Sequence, residues 1–326
     1  MVQLSIIIPA RNEEKFIPLC IAGIRNSINS EIYEIILVDN GSTDNTLCVA
    51  KKLGCRTIYN SKEGPAATRN AGASIAKGNY IAFIDADCVI PKNWFFYALE
   101  HFRNKAVAVG FKISPDFKNS TWVERASFDL NQRRGIEVSK NVINVRWLGT
   151  SNLILEKKLF DKIGGFNEKL ITCEDYDLCQ RIGDYGKLIL DAREYVVHMR
   201  EDKSLRMLFS KELHRGQNSL INWSNKGFNL YEAPSILVPV GFIFAITFGL
   251  AIIVHYIYLG LFLLILGILP LFALSLKPKK AKKNPILLLQ YISFNFIYLT
   301  ARGLSCVKEV LGLFLKIPSI AKRKQT

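Results

Sequence analysis

The chain opens with short apolar runs separated by segments of helical period. "LSIIIPA" (4–10), "EIILVD" (34–39) and "YIAFIDAD" (80–87) are rich in β-branched residues and barely alternate with polar ones. Strands of that kind are buried on both faces, as in a parallel sheet covered by helices. Between them, "NEEKFIPLCIAGIRNSI" and "STDNTLCVAKKLG" read as helices with Asn12 and Ser42 as N-caps. The alternation predicts a doubly wound α/β domain, in which ligands bind beyond the carboxyl ends of the strands.

Downstream the pattern changes. From Ala233 to Leu276 there are 44 residues without Asp, Glu, Lys or Arg. A bilayer pass takes about 20 apolar residues, so this length predicts two, near Ser235–Val254 and Tyr256–Ser275, with a tight turn at His255. Tyr256 and Tyr258 would lie at an interface. A buried helical hairpin in a soluble protein is the other reading of the same pattern. "PILLLQYISFNFIYLTA" (285–301) is uncharged but short and holds Gln290 and Asn295; "VKEVLGLFLKIP" then mixes charge with apolar residues at helical spacing. These predict a helix lying in the interface or a re-entrant segment rather than a third pass. The expected layout is a cytosolic domain over 1–230, two transmembrane helices over 234–276, and a basic, membrane-associated tail over 277–326.

Charge sharpens this picture. The 326 residues carry a formal +15, of which residues 277–326, with eleven Lys or Arg against Glu309 alone, hold +10. A nucleic-acid binder usually spreads basic residues over its folded domain; here they gather beside the apolar segment, so anionic membrane lipids are the expected partner and nucleic acid is not. "KPKKAKK" (277–283) follows the second pass directly. Positive loops stay in the cytosol, and two passes return the chain to its starting side, so the N-terminal domain is expected there too. "MVQLSIIIPA" lacks the basic start and long apolar core of a signal peptide. The seven cysteines include no CxxC pair, which fits a reducing compartment without a disulfide framework.

Candidate chemistry sits at the strand ends. Asp85 and Asp87 flank Ala86 at the end of an apolar strand. They read either as a cap or turn or as hard oxygen ligands for a cation or diphosphate. Pro9-Ala10-Arg11-Asn12-Glu13 and Asp39-Asn40-Gly41-Ser42 follow two other strands, and all three clusters should line one rim. Neither GxxxxGK[ST] nor GxGxxG follows the first strand, so a diphosphate bound here would need a metal bridge, with Asp87 able to supply an oxygen ligand. Glu174, Asp175 and Asp177 open a helical pattern, where acids also simply offset the dipole, and Asp177 with Arg181 reads as an ion pair four residues apart.

"SIIIPARNEE", "ILVDNGSTDNT", "GPAATRNAGASIAKGNYIAFIDADC" and "CEDYDLCQRI" together resemble the family 2 glycosyltransferases of the GT-A fold, over about residues 3–200. The resemblance implies an α/β, Rossmann-like domain with a mostly parallel central sheet. It also implies transfer of a sugar, with inversion, from a nucleotide-diphosphate donor, a UDP-sugar being the commoner family choice. By the same resemblance Pro9, Arg11 and Glu13 would sit at the nucleoside, and Asp39 would hydrogen-bond the base. Arg69 would contact base or phosphates, unless it is a surface helix charge, and Asp85 would bind ribose or sugar. Asp87 would ligate Mg²⁺ or Mn²⁺, and His198 is a further metal ligand in some relatives, though a lone His there is also commonly structural. Asp175 would be the base, with Glu174 beside it contacting acceptor or donor. "GTSNLILEKKLFDKIGGFNE" (149–168) looks like the family's segment between donor and acceptor halves, with Gly149, Thr150 and Ser151 on the acceptor side. Processive members carry Q-x-x-R-W; "LHRGQNSLINW" (213–223) departs from that order, so one sugar per encounter is expected, with His214 and Arg215 as parts of a lid over the diphosphate. The apolar hairpin makes a lipid-linked acceptor the expectation, a polyprenyl phosphate being a variant of it. A non-catalytic nucleotide-binding membrane scaffold is the remote alternative.

Overall fold

The computed structural model describes residues 2–28, 32–131, 141–170, 172–217, 220 and 233–315. The chain divides into two compact units, residues 1–118 with 135–201, and residues 119–134 with 202–326.

The first unit is built on one sheet. Its strands are β1 (Leu4–Ala10), β2 (Tyr33–Asp39), β3 (Arg56–Tyr59), β4 (Tyr80–Ile84), β5 (Cys88–Val89), β6 (Ala106–Pro115), β7 (Val142–Val145), β8 (Asn152–Glu156) and β9 (Lys187–His198). They lie in the order β3-β2-β1-β4-β8-β6-β9-β5, with β7 also paired to β9. The pairs β3–β2, β2–β1 and β1–β4 are parallel. Strand β8 is antiparallel to both β4 and β6, and β6 and β9 are parallel again. The three apolar runs of the sequence are thus the parallel half, and the antiparallel insertion is β8, whose Leu153, Ile154 and Leu155 are also fully buried.

Within β1, Ile6 and Ile8 point into one core and Ile7 into the other, all fully buried, because successive strand residues face opposite ways. One core packs α1 (Ile17–Ser27) and α4 (Trp94–Arg103) on the sheet through Ile21, Ile24, Trp94 and Ala98. The opposite core gathers Phe83, Phe160, Phe166 and Leu178 with Ala66 and Ala73, from α3 (Pro65–Ser74), α6 (Lys157–Lys162) and α7 (Glu174–Gly183) among others.

Two expected caps are corrected. Helix α1 begins at Ile17 and α2 (Thr46–Lys52) at Thr46, later than caps at Asn12 and Ser42 require. These two residues instead tie the β1 and β2 loops together: the Asn12 N–H donates to Ser42 Oγ at 3.0 Å and the Thr43 N–H to Asn12 Oδ1 at 2.7 Å. Asn12 holds a left-handed φ of 58° to do so, a conformation Asn tolerates better than most residues.

Strand β9 carries the irregularity that matters for the site. Asp191 pairs with Phe111 but the next partner of Lys112 is Tyr195, so residues 192–194 bulge out. Arg193 in that bulge folds back on Asp191 (Nη2 to Oδ2, 2.7 Å), reaches Glu100 (2.9 Å) and lies over the Tyr97 ring of α4. His101 Nε2 lies 2.8 Å from Asp191 Oδ2. A bulge bends its strand, and beyond this one β9 runs on to pair His198 with Cys88.

The second unit is helical: α5 (Trp122–Asn131), α8 (Leu205–Arg215), α9 (Ala233–Ile252), α10 (Ile257–Ser275), α11 (Pro285–Leu315) and a short turn of 3-10 helix at Lys279–Lys282. Helices α9 and α10 are long and apolar enough to cross a membrane, and only 28% and 17% of their apolar windows are buried. They approach closely where Gly260 faces Gly249: a Cβ on Gly260 would stand 2.7 Å from Ile253 Cα. Segment 285–315 forms one unbroken helix. It is fastened by Tyr291 Oη donating to Asp129 (2.7 Å), Arg302 Nε donating to Glu212 (2.6 Å) and Ser305 Oγ donating to the Leu213 carbonyl (2.9 Å).

The Asp191 cluster gives a stability prediction. Burial alone would push this carboxyl up, but hydrogen bonds from His101 and Arg193 outweigh it and hold the pKa at about 2. A depressed folded-state pKa stabilises above the unfolded value, near 4, and that contribution is lost as pH falls toward 2. Asp191→Asn should therefore cost about 2 kcal/mol at pH 7. In urea titrations at stepped pH the gap between variant and parent should close between about pH 4 and 2; a gap independent of pH would refute this account.

Candidate functional site

The parallel half of the sheet ends in a row. Register sets Ala10 beside Asp39, and β4 runs parallel on the other side of β1. The loops that follow these strands carry Arg11 to Glu13, Asn40 to Ser42, and Asp85-Ala86-Asp87, so the three polar clusters share one edge. Asp39 is buried, and its carboxylate accepts the Ser42 N–H of its own turn. Pro9 is the penultimate residue of β1, Arg11 is exposed and Glu13 is buried.

Arg69 joins the next two parts. It projects from α3, is 5% exposed, and donates through Nη1 to Glu174 Oε1 (3.0 Å) and through Nη2 to Asp85 Oδ1 (3.1 Å). The surface-charge reading of Arg69 is therefore overturned: its guanidinium is enclosed by carboxylates and by the Phe166 ring. Glu174 and Asp175 are the first residues of α7 and follow Cys173, held in a left-handed φ of 66°. Asp175 accepts the Tyr176 N–H at 2.7 Å, and the Trp147 side chain lies close enough to pull its pKa down. Burial and then the neighbouring Glu174 charge raise its pKa to about 6 against the pull of these donors and Arg69. The expected Asp177–Arg181 ion pair also forms, at 2.8 Å.

The segment before β8 lines the same place. The Asp85 N–H donates to the Ser151 carbonyl at 3.2 Å, Thr150 is buried, and a Cβ on Gly149 would meet only Ser151 Oγ at 3.9 Å. Gly149, Thr150 and Ser151 thus lie between β7 and β8 with open space at the glycine.

Asp87 and His198 form the remaining cluster. His198 Nε2 lies 3.4 Å from Asp87 Oδ1, and its Nδ1 lies 3.2 Å from Glu201 Oε1. Burial presses the imidazole pKa down, but Glu201 and Asp87 more than offset it and the net direction is up. Asp87 is raised by burial, eased by His198 and raised again by Asp85. Arg200 pairs with Glu13 and stands 3.6 Å from Asp87 Oδ2. Glu13 is nevertheless lifted to about 7, by burial first, with Asp87 and Asp85 adding to it and Arg200 opposing. Its second oxygen is buried without a hydrogen-bond partner.

Ligand atoms of Asp87, Cys88 and His198 all lie within 4.8 Å of one another. A carboxylate oxygen and an imidazole suit Mg²⁺ or Mn²⁺, whereas a thiol suits softer metals. Cys88 is fully buried, with its thiol pushed well up by burial and then by Asp85 and Asp87. Asp87 and His198 therefore fit a divalent cation, and Cys88 serves as wall rather than ligand.

His214 and Arg215 end α8 in the second unit, where Arg215 donates to Glu212 at 2.8 Å and His214 is exposed. Three residues around the site escaped the sequence reading: Arg200, Glu201 and Trp147. The only signal for Arg200 was its place two residues after His198; it lies just past the end of β9, where the Met199 N–H bonds the Asp87 carbonyl at 2.9 Å. Trp147 had only its position just before Gly149-Thr150-Ser151 to mark it.

A half-parallel sheet with carboxylates at its strand ends, a buried Arg bridging them to a helix, and a perturbed Asp on that helix make this edge of the first unit a candidate active site. Residues 5–164 match the family model "Glycosyl transferase family 2". Glycosyltransferase AglE of Haloferax volcanii is 26% identical over 74% of this chain and 81% of its own. The pre-mycofactocin glycosyltransferase of Mycobacterium tuberculosis is 25% identical over 56% of this chain, which spans only 39% of that relative's length. The mannosyltransferase PcManGT of Pyrobaculum calidifontis, solved with GDP-Man and Mn²⁺, shares the fold at a TM-score of 0.60 and 16% identity, covering 94% of this chain and 87% of its own. The chain contains a glycosyltransferase family 2 domain over residues 5–164.

Removing Arg69 would leave the Glu174 side chain, 12% exposed, without its cation. We expect Arg69→Ala to lose about 3 kcal/mol of stability in denaturant titrations, and Arg69→Lys to recover only part of it, because a point charge does not span two carboxylates as a planar fork does. Equal stabilities of Arg69→Ala and the parent would contradict the bridging role.

Proposed function

We propose that the protein is a membrane-bound inverting glycosyltransferase that moves a sugar from a nucleotide-diphosphate donor to a lipid-linked acceptor. The observation that carries this is the Arg69 bridge, which holds the strand-end carboxylate Asp85 and the helix pair Glu174–Asp175 in one network. Asp39 and Glu13 would meet the nucleoside with Pro9 and Arg11, and Asp85 the ribose or sugar. Asp87 and His198 would hold Mg²⁺ or Mn²⁺; PcManGT's bound Mn²⁺ and GDP-Man support a metal and a nucleotide-sugar here. The cation, when bound, would offset charge on the departing diphosphate.

Asp175 takes the proton of the acceptor hydroxyl while that oxygen bonds the anomeric carbon, and the bond to the donor phosphate breaks with its electron pair leaving on the diphosphate. A base with a pKa near 6 is largely ionised at neutral pH yet basic enough to accept that proton. Gly149, Thr150 and Ser151 would border the acceptor.

Two apolar helices support a bilayer location, and by the positive-inside bias the lysines of 277–283 would put the catalytic unit on the cytosolic side. The lysines of 277–283 would favour anionic headgroups by on the order of 1 kcal/mol each. A lipid-linked acceptor presents its reactive oxygen at that surface.

Purified protein in membranes, given nucleotide-sugars and Mn²⁺, should release nucleoside diphosphate. Absence of release with every donor, in folded protein, would refute the proposal. Asp175→Asn should lower kcat by about 10²- to 10⁴-fold. In the parent, kcat/KM should rise with pH through about 6 and then level, since only the ionised carboxylate accepts a proton. Asp87→Ala should weaken Mn²⁺ binding measured by calorimetry in the presence of nucleoside diphosphate; unchanged binding would remove Asp87 from the metal.

A further inference from the structure

We propose that Trp147 is the acceptor-side platform and positions the base, and that the group it receives is a neutral sugar ring rather than a bare lipid phosphate. This rests on Asp175 being the base, as above, and adds the chemistry of the acceptor's reacting end.

Trp147 is 50% exposed, yet it is not a loose surface side chain. Its neighbours are stitched to α7: Gln180 Nε2 donates to the Arg146 carbonyl at 3.2 Å, and Leu148 exchanges both its N–H and its carbonyl with Cys179 Sγ at 3.4 Å. The indole lies close enough to Asp175 to pull its carboxyl pKa down. Indole has a single donor, its N–H, so this contact turns the polar edge toward the base while half of the residue's surface remains open. Directly beyond Leu148 comes Gly149, where an added Cβ would find no atom nearer than 3.9 Å. An open aromatic face next to a side-chain-free gap and a base is a seat for a flat, partly apolar group carrying hydroxyls. A pyranose ring has such a face, through its C–H groups.

Charge selects between the two acceptors. The groups acting on Asp175 are Glu174 beside it, Arg69, and the buried Cys179 thiol beneath it; Arg146 is exposed one residue before Trp147. Both terminal nitrogens of Arg69 are engaged by Glu174 and Asp85. A lipid phosphate brought to Asp175 would face two adjacent carboxylates across an already occupied guanidinium. A sugar hydroxyl is neutral, donates its proton to Asp175 and needs no cation.

The full chain in detergent, with the donor that supports nucleoside diphosphate release, tests this against a panel of octyl pyranosides and against polyprenyl phosphate. We expect transfer to a pyranoside. Trp147→Leu should raise the pyranoside KM about tenfold or more, while the donor KM stays within about twofold. Trp147→Phe keeps the ring but loses the N–H. It should keep the pyranoside KM near the parent's and shift the acidic limb of the pH profile upward by roughly half a unit. A thermal melt of each variant separates loss of fold from loss of acceptor. Transfer to polyprenyl phosphate alone, or an unchanged pyranoside KM in Trp147→Leu, overturns the inference while leaving the glycosyltransferase reading intact, as does donor hydrolysis without transfer to either class. No donor turnover at all defeats both together.

Discussion

One guanidinium determines whether this site can exist. Carboxylates at the ends of parallel strands repel each other, and burial penalises each of them further. Arg69 answers on one side by donating to Asp85 and Glu174 together, and Arg200 answers on the other by sitting between Glu13 and Asp87. The compensation is incomplete by design of the geometry: Glu13, Asp87 and Asp175 all remain raised. Groups left short of positive charge in an edge crevice are groups prepared to receive a cation or a proton.

The scaffold explains why those residues meet. Parallel pairing of β2, β1 and β4 makes three distant chain turns adjacent by register. The antiparallel insertion of β8 brings Ser151 against Asp85. The β9 bulge, anchored on α4 by Arg193, leads the strand to set His198 opposite Cys88 and beside Asp87. The second unit solves a different problem with similar means. Its buried Glu212 is shared by Arg215 and Arg302, and buried Asn295 donates to Ser275, so polar groups near apolar helices are paired.

Much of the site was legible because local physics leaves a mark on the chain. Strand β1 coincides with the run "LSIIIPA", and β2 and β4 lie within a residue of their apolar cores. The strand-end acids stood out because two carboxylates around one alanine are costly without a partner. The caps were misread for the opposite reason: Asn12 and Ser42 have the side chains of caps, but their hydrogen bonds close onto each other's loops, and that pairing is 30 residues apart in sequence.

The sequence by itself determined the parallel half of the sheet, the apolar hairpin and the acidic residues, because periodicity, burial and charge act over neighbouring positions. Only the tertiary structure decided that Arg69 is enclosed rather than exposed, that Arg200 reaches back 187 residues to Glu13, and that Trp147 lies close to Asp175. Those are contacts between segments with no shared periodicity, and a side chain's charge or shape says what it can bond to, not which distant partner the fold will deliver.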